Sequence, residues 1–243
     1  MLLVSLTGKT FYIKNTNQDF HSQYGYVKAD ELKKARPGTK VSTNTGHELI
    51  VLEPGFIDLY RRIRRAPQII PLKDIGSIIT QTGIGKDSVV VDAGTGSGGL
   101  ALFLANIVKK VITYEIRDDF ASVAEENVRF LNLKNVTVKR KDVYNGIDEK
   151  QTDLVTLDLA EPWKAVDAAH KSLKVGGFIV SYSPTTPQVS DFVEKVNSTE
   201  GLQHLSTAEI FEREWEVDKR KIRPRSQAIG HSGFLSFARK LAE

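Results

Sequence analysis

The chain has 243 residues, with 34 Lys and Arg against 30 Asp and Glu and no cysteine. That length buries a full-sized core, and 40% apolar with 26% charged residues is ordinary for a globular protein. Disulfides, Cys-ligated zinc and thiol nucleophiles are excluded. The densest apolar stretch, Leu100–Val108, is far shorter than the roughly 20 residues a membrane helix needs. MLLVSLTGKTFYI at the N-terminus lacks the charged start and cleavage site of a signal peptide. A cytoplasmic protein with no membrane partner and no metal site is expected.

Residues 1 to about 53 alternate short β-rich runs with turn residues: the N-terminal run, Thr10–Ile13, Tyr24–Val27, Lys40–Ser42, and Glu48–Leu52 after a Thr45-Gly46 turn. This predicts a small antiparallel sheet or barrel. Phe56, Ile57, Leu59, Tyr60 and Ile63 form a helical stripe that stops before Pro67. Within and after it, Arg61, Arg62, Arg64 and Arg65 make a basic cluster. Such a cluster suits a polyanion, and it equally suits a solvated helix face.

From Lys73 the rhythm changes. Helical spacing over Lys73–Gly83 precedes strand Ser88–Asp92, helix Gly99–Asn106, strand Val111–Glu115, helix Asp118–Leu131 and strand Val136–Lys139. Strand Leu154–Asp158, helix Lys164–Leu173, strand Gly177–Tyr182 and helix Gln188–Val196 follow. Strands separated by helices predict an α/β fold with a parallel sheet covered on both faces. The tail breaks the pattern. Ile210–Val217 and Gly233–Arg239 are expected to pair as an antiparallel hairpin at one sheet edge, around a basic loop carrying Lys219, Arg220, Lys221, Arg223 and Arg225.

The most informative stretch is VVVDAGTGSGGLALFLA, residues 89–105. An apolar strand runs into Gly94, Gly96, Gly98 and Gly99, and a helix follows, so backbone can approach a ligand at a helix N-terminus. Glu115 ends the next strand, where a carboxylate grips ribose hydroxyls. The loop also satisfies G-x-G-x-x-G, which leaves a nicotinamide dinucleotide and an adenosylmethionine cofactor both open. Asp92, two residues before the first glycine, tilts the balance: it would meet the amino group of S-adenosylmethionine and repel a pyrophosphate. Asp142, ending VTVKRKD, is placed to accept from an adenine amino group.

DLVTLDLAEPW, residues 153–163, ends a further apolar strand with Asp158 at its C-terminal edge, where open α/β sheets bind ligands. A carboxylate there could stabilise charge created by methylating a ring nitrogen or take a proton from the adjacent amino group; a helix cap is the plainer alternative. Trp163 reads as core packing somewhat more readily than as a stacking surface.

Taken in order, these motifs resemble the tRNA adenine-N1 methyltransferases of the T-loop, of the single-protein archaeal and bacterial type. The match runs from residues 21–70, HSQYGYVKADELKK through RRAPQII, to DAGTGSGGL, LDLAEPWKAV, SYSPTTPQV and WEVDKRKIRPRSQAIGHSGFLSFARK. The resemblance implies a Rossmann-like class I methyltransferase domain over 67–243, preceded over 1–66 by a small β domain and linking helix. It implies S-adenosylmethionine as cofactor, tRNA as substrate and a homotetramer. Ser97, Gly98, Gly99 and Leu100 would hold the methionine part, Glu115 the ribose, and Asp142 with Val143 the adenine. Asp158 would be the catalytic carboxylate beside the cofactor, acting on adenine 58 or on the adjacent 57 as well. His231 could help position substrate, although a lone histidine is more often structural. Two positions depart from the family pattern: Pro71 stands where an aromatic residue is usual, and Thr185-Thr186-Pro187 precedes Gln188. A small-molecule methyltransferase, as in corrin biosynthesis, is the alternative, and the N-terminal domain and basic clusters argue against it. A non-catalytic RNA-binding subunit would be expected to have lost the glycine loop and the acid, and both are intact. An NAD-dependent oxidoreductase is more distant still.

Overall fold

In this computed structural model the described residues are 1–65, 69–227 and 230–242. The chain divides into two compact units, Met1–Arg62 and Ile63–Glu243. The stop expected at Pro67, the Gln68 of the motif and the junction expected between residues 66 and 67 lie outside the described residues.

The first unit contains β1 (Leu2–Ser5), β2 (Thr10–Tyr12), β3 (Phe20–Ser22), β4 (Gly25–Val27), α1 (Ala29–Lys34), β5 (Lys40–Ser42), β6 (Glu48–Leu52) and α2 (Phe56–Tyr60). Four strands form an antiparallel sheet in the order β2-β1-β6-β5, and β3 pairs with β4 as a separate hairpin. Alternate residues of β1 and β6 turn Leu3, Leu49 and Val51 inward onto Ile13, Val27, Leu32 and Val41. At the Thr45-Gly46 turn, Gly46 takes φ +83° and donates to the carbonyl of Thr43 at 2.9 Å.

The second unit holds α3 (Leu72–Thr82), β7 (Val89–Ala93), α4 (Gly99–Ala105), β8 (Lys110–Glu115), α5 (Asp118–Phe130), β9 (Val136–Arg140) and β10 (Thr152–Leu157). After these come α6 (Val166–Ser172), β11 (Leu173–Ser183), α7 (Thr186–Asn197), β12 (Leu202–Glu209), β13 (Trp215–Asp218), β14 (Lys221–Pro224) and β15 (Phe234–Lys240). Its sheet runs β12-β15-β11-β10-β7-β8-β9, parallel from β11 to β9. Consecutive residues of the central strands bury on opposite faces, which is why those strands read as unbroken apolar runs. Val91, Ile112 and Val155 face Val166, Phe192 and Val196 of α6 and α7; Val90, Val111 and Leu154 face Ile75, Ile78 and Leu104 of α3 and α4.

The sequence places the tail differently from the fold. β15 pairs antiparallel with β11 and with β12, so the edge strand is Leu202–Glu209 and not Ile210–Val217. Residues Trp215–Asp218 instead fold back on Lys221–Pro224 as an independent two-stranded ribbon. β12 reads LQHLSTAE, a polar string with no apolar stripe, because an edge strand is covered less than a central one.

Candidate active site

β7 lies between β8 and β10, so chain diverges to both sides at its carboxyl end and opens a crevice there. Gly94 leaves β7 with φ +91°, and the backbone N–H of Asp158 at the end of β10 donates to Ala93 at 2.9 Å. The resulting cavity, about 590 Å³, is lined by Gly94, Gly96, Glu115, Asp142, Val143 and Asp158, with Tyr114, Ile116, Phe120 and Tyr144 among the apolar and aromatic walls and Arg117 as a cationic one.

Glu115 is fixed by the loop itself. Its carboxylate accepts from the N–H groups of Gly96 at 2.9 Å and Arg117 at 3.0 Å. A carboxylate offers about four lone-pair positions, so capacity remains for a ligand diol. Asp142 caps a 3-10 turn over Val143–Asn145, accepting from Tyr144 N at 2.9 Å, two residues beyond the end of β9. Arg117 lies 3.8 Å from the ring centroid of Phe120, which stiffens the wall beyond Glu115.

Other expected cofactor residues sit behind this wall. Asp92 is 2% exposed and lies outside the cavity lining. Its two oxygens accept from Thr113 and Thr156, each at 2.7 Å. The pleat of β7 thus sets Asp92 beside its register partners Thr113 of β8 and Thr156 of β10, and a contact with the cofactor's amino group is kept as an expectation. Ser97, Gly98, Gly99 and Leu100 also lie outside the lining, with Leu100 packed into the core and Gly98 at φ +87° starting α4. The Ser97 hydroxyl is the buried side-chain polar atom left without a partner among the described residues.

Asp158 is open to the cavity yet crowded by protein on its other sides. Burial, reinforced by the charge of Asp92, pushes its carboxyl up to about 7. A second cavity of about 600 Å³ meets the first at Asp158, Leu159 and Ala160 and is walled by Ile69, Ile70, Pro71, Tyr182, Pro184 and Ser232. Burial also raises the Tyr182 phenol to about 12, which keeps it neutral. Ser232 donates to buried Asp74 at 2.9 Å and accepts from Lys73 at 2.6 Å.

A family model described as tRNA methyltransferase complex GCD14 subunit matches residues 61–223. The chain belongs to this family. It is 37% identical to the tRNA (adenine(57)-N(1)/adenine(58)-N(1))-methyltransferase TrmI of Methanocaldococcus jannaschii, covering 98% of this chain and 94% of that protein. It is 35% identical to the Thermus thermophilus tRNA (adenine(58)-N(1))-methyltransferase TrmI over 91% of this chain and 88% of that one. Among solved structures, an Aquifex aeolicus tRNA (m1A58) methyltransferase TrmI superposes with TM-score 0.83 at 28% identity, covering 100% of this chain and 97% of that one. A SAM-dependent O-methyltransferase from Thermotoga maritima gives 0.88 at 28% identity, over 100% and 92%. The fold is the Rossmann-like class I fold of S-adenosylmethionine-dependent methyltransferases.

The donor set of this GCD14-family chain fits S-adenosylmethionine. A Cβ on Gly96 would meet nothing within 4 Å, so loop backbone lies bare towards the cavity. Glu115 retains acceptor capacity for a ribose, and Ser97 holds an unmet hydroxyl beside the loop. The second cavity was missed by sequence reasoning. Tyr182 and Ser232 sit within quoted motifs, but only the fold brings them to Asp158. Trp163, half-buried in the 3-10 turn packed against α7, lines neither cavity. Of the basic residues, Lys221 and Arg223 pair with Glu216, and Arg225 pairs with Glu214. That leaves Lys219 and Arg220 exposed at the ribbon turn.

Proposed function

We propose that this chain transfers a methyl group from S-adenosylmethionine to N1 of adenine in the T-loop of tRNA, at position 58, with the adjacent 57 as the second position to be mapped. The observation that carries the reading is the meeting of two cavities at one carboxylate, Asp158. The first takes the cofactor, with Glu115 on the ribose and Asp142 and Val143 at the adenine; the second takes the substrate base against Tyr182.

S-Adenosylmethionine supplies an electrophilic methyl group on a sulfonium. Asp158, ionised, accepts a hydrogen bond from the exocyclic amino group of the substrate adenine. This orients the ring nitrogen and balances the positive charge that develops as N1 is alkylated. Tyr182, held neutral, gives the base a flat wall without competing for its charge. An adenine in a folded tRNA leaves its stack to reach this depth, at a cost of a few kcal/mol.

Self-assembly into a homotetramer belongs to the same reading. On the β13–β14 ribbon, Trp215, Val217, Ile222 and Pro224 share one face across the register, while Glu216, Arg223, Asp218 and Lys221 share the other. Trp215 is 53% exposed and Val217 68%. An isolated ribbon is marginal in water, and a second copy of the chain would cover this apolar face. Among the described residues no helix is long and apolar enough to cross a membrane; we place the enzyme with its substrate in the cytoplasm.

The test is methyl transfer from labelled S-adenosylmethionine to unmodified tRNA transcript, with nucleoside analysis and position mapping. 1-Methyladenosine in the T-loop is expected. An unlabelled tRNA with intact cofactor binding would overturn the substrate and favour a small-molecule acceptor.

A further inference from the structure

Pro184, in the turn between β11 and α7, forms part of the wall of the base cavity. Its carbonyl oxygen lies 2.9 Å from Nε2 of His231. The other ring nitrogen, Nδ1, bonds to a carboxylate oxygen of Glu209, the last residue of β12. A carbonyl only accepts, and so does a carboxylate, so both bonds exist together only when both ring nitrogens carry hydrogen. The imidazolium alone satisfies this arrangement. The ring is further seated against Phe234 of β15, with centroids 4.9 Å apart.

The Pro184 turn is itself connected to Asp158. It leads into α7, where Gln188 accepts from Thr185 at 2.7 Å and donates to the carbonyl of Ala160 at 2.9 Å. Ala160 is two residues beyond Asp158 and borders both cavities. Next to His231, Ser232 ties the same segment to Asp74 and Lys73.

We infer that His231 and Glu209 form a positioning pair that clamps the Pro184 turn, and with it the substrate-base wall, only while the imidazole is doubly protonated. The inference rests on the reading of this cavity as the substrate site. The charges around the ring are Glu209 from β12, which favours the imidazolium, and Lys73 from α3, which opposes it. Lys73 is largely balanced by Asp74, 2.8 Å away. Glu209 and the Pro184 carbonyl outweigh Lys73 and burial, so the ring titrates above the ordinary histidine range. As pH rises through that raised value the ring keeps one bond and loses the other. The first cavity has no wall residue in this clamp except Ala160, so the loss falls on substrate use rather than on cofactor binding.

The experiment has two arms on the intact enzyme. In the first, imidazole resonances of the five histidines are titrated by NMR, His231 being identified by its absence in His231→Gln. His231 is expected to titrate above about 6.5, the ordinary value, and Glu209→Gln to lower it. In the second, kcat/KM for tRNA transcript is followed against pH, with cofactor Kd and Tm as folding controls. The parent is expected to lose kcat/KM on the basic side, and Glu209→Gln to bring that loss to lower pH by the same interval. His231→Ala is expected to cost about tenfold in kcat/KM for tRNA at the optimum, with cofactor Kd unchanged. An ordinary His231 titration unaffected by Glu209→Gln overturns the clamp, as does a His231→Ala enzyme with parental kcat/KM. A parent inert on tRNA overturns the substrate reading instead, and the NMR arm then still decides the clamp's chemistry.

Discussion

A Cβ placed on Gly94 would lie 2.0 Å from the carbonyl oxygen of Asp158. The glycine loop that borders the cofactor cavity therefore rests directly on the backbone of the proposed catalytic residue. Gly94→Ala carries two penalties. Its φ of +91° costs a non-glycine residue about 1–2 kcal/mol, and the overlap is with backbone, which no rotamer relieves. Cofactor affinity is expected to fall by at least about tenfold, with Tm lowered too. Gly96→Ala, with φ +53° and open space around its Cβ, carries the backbone strain alone and should fall between the two. Calorimetric binding of S-adenosylmethionine to the three proteins checks the order.

In the proposed mechanism Asp158 works as a carboxylate, and burial with the charge of Asp92 raises it to about 7. The kcat/KM for tRNA should rise with pH through about 7. Asp158→Asn should abolish that limb and lower turnover by about 10²–10⁴-fold, with cofactor affinity largely kept. Asp92→Asn, which removes the neighbouring charge, should move the limb to lower pH. Stability responds in the opposite sense. Between the ordinary aspartate value of about 3.9 and 7 the folded chain binds more protons at this site than the unfolded one, so stability falls as pH rises through the window. Asp158→Asn should therefore have a higher Tm than the parent at alkaline pH, measurable by differential scanning fluorimetry. A variant with parental turnover would remove Asp158 from the mechanism.

Asn127 of α5 ties the loop to a distant stretch of chain. Its side-chain amide donates to the carbonyls of Ser97 and Arg64, both at 2.8 Å, and accepts from Arg64 N at 2.9 Å. The residue is 3% exposed, and its loss leaves three backbone groups without their partner, the Ser97 carbonyl in a buried setting and the two Arg64 groups in partly buried ones. Asn127→Ala should destabilise the chain by about 1–3 kcal/mol and weaken S-adenosylmethionine binding, because the Ser97 carbonyl sits within the glycine loop. Denaturant titration and cofactor titration on the same preparation separate the two effects; an unchanged midpoint would refute the role.

The parallel core was legible because Val89–Ala93 and Thr152–Leu157 are buried on both faces and so read as unbroken apolar runs. The glycine loop was legible because a sharp turn at Gly94 admits no other residue. α1 was not, since only Leu32 of its six residues is buried and one residue makes no period. For Asp92, spacing fixes the distance from the glycines but not the bonds to Thr113 and Thr156, which depend on the register of β7 with β8 and β10. Tyr182 and Ser232 were quoted within motifs, yet their meeting with Asp158 depends on β15 lying beside β11, a long-range pairing no local pattern records.

Gly233 bears on that pairing. A Cβ there would sit 2.5 Å from the Tyr182 ring, so the closing segment is bare where the ring of the base cavity packs against it. Unlike Gly94, this glycine meets side chain, and the ring can move. Gly233→Ala should therefore fold, displace Tyr182 into the base cavity and raise KM for tRNA by about tenfold, while cofactor Kd stays at the parental value because Tyr182 lines only the second cavity. Steady-state kinetics with varied tRNA, beside cofactor titration, makes the comparison. Equal losses in both would mean that the two cavities are not independent walls around Asp158, and an unchanged KM would mean that the ring contributes nothing to holding the base.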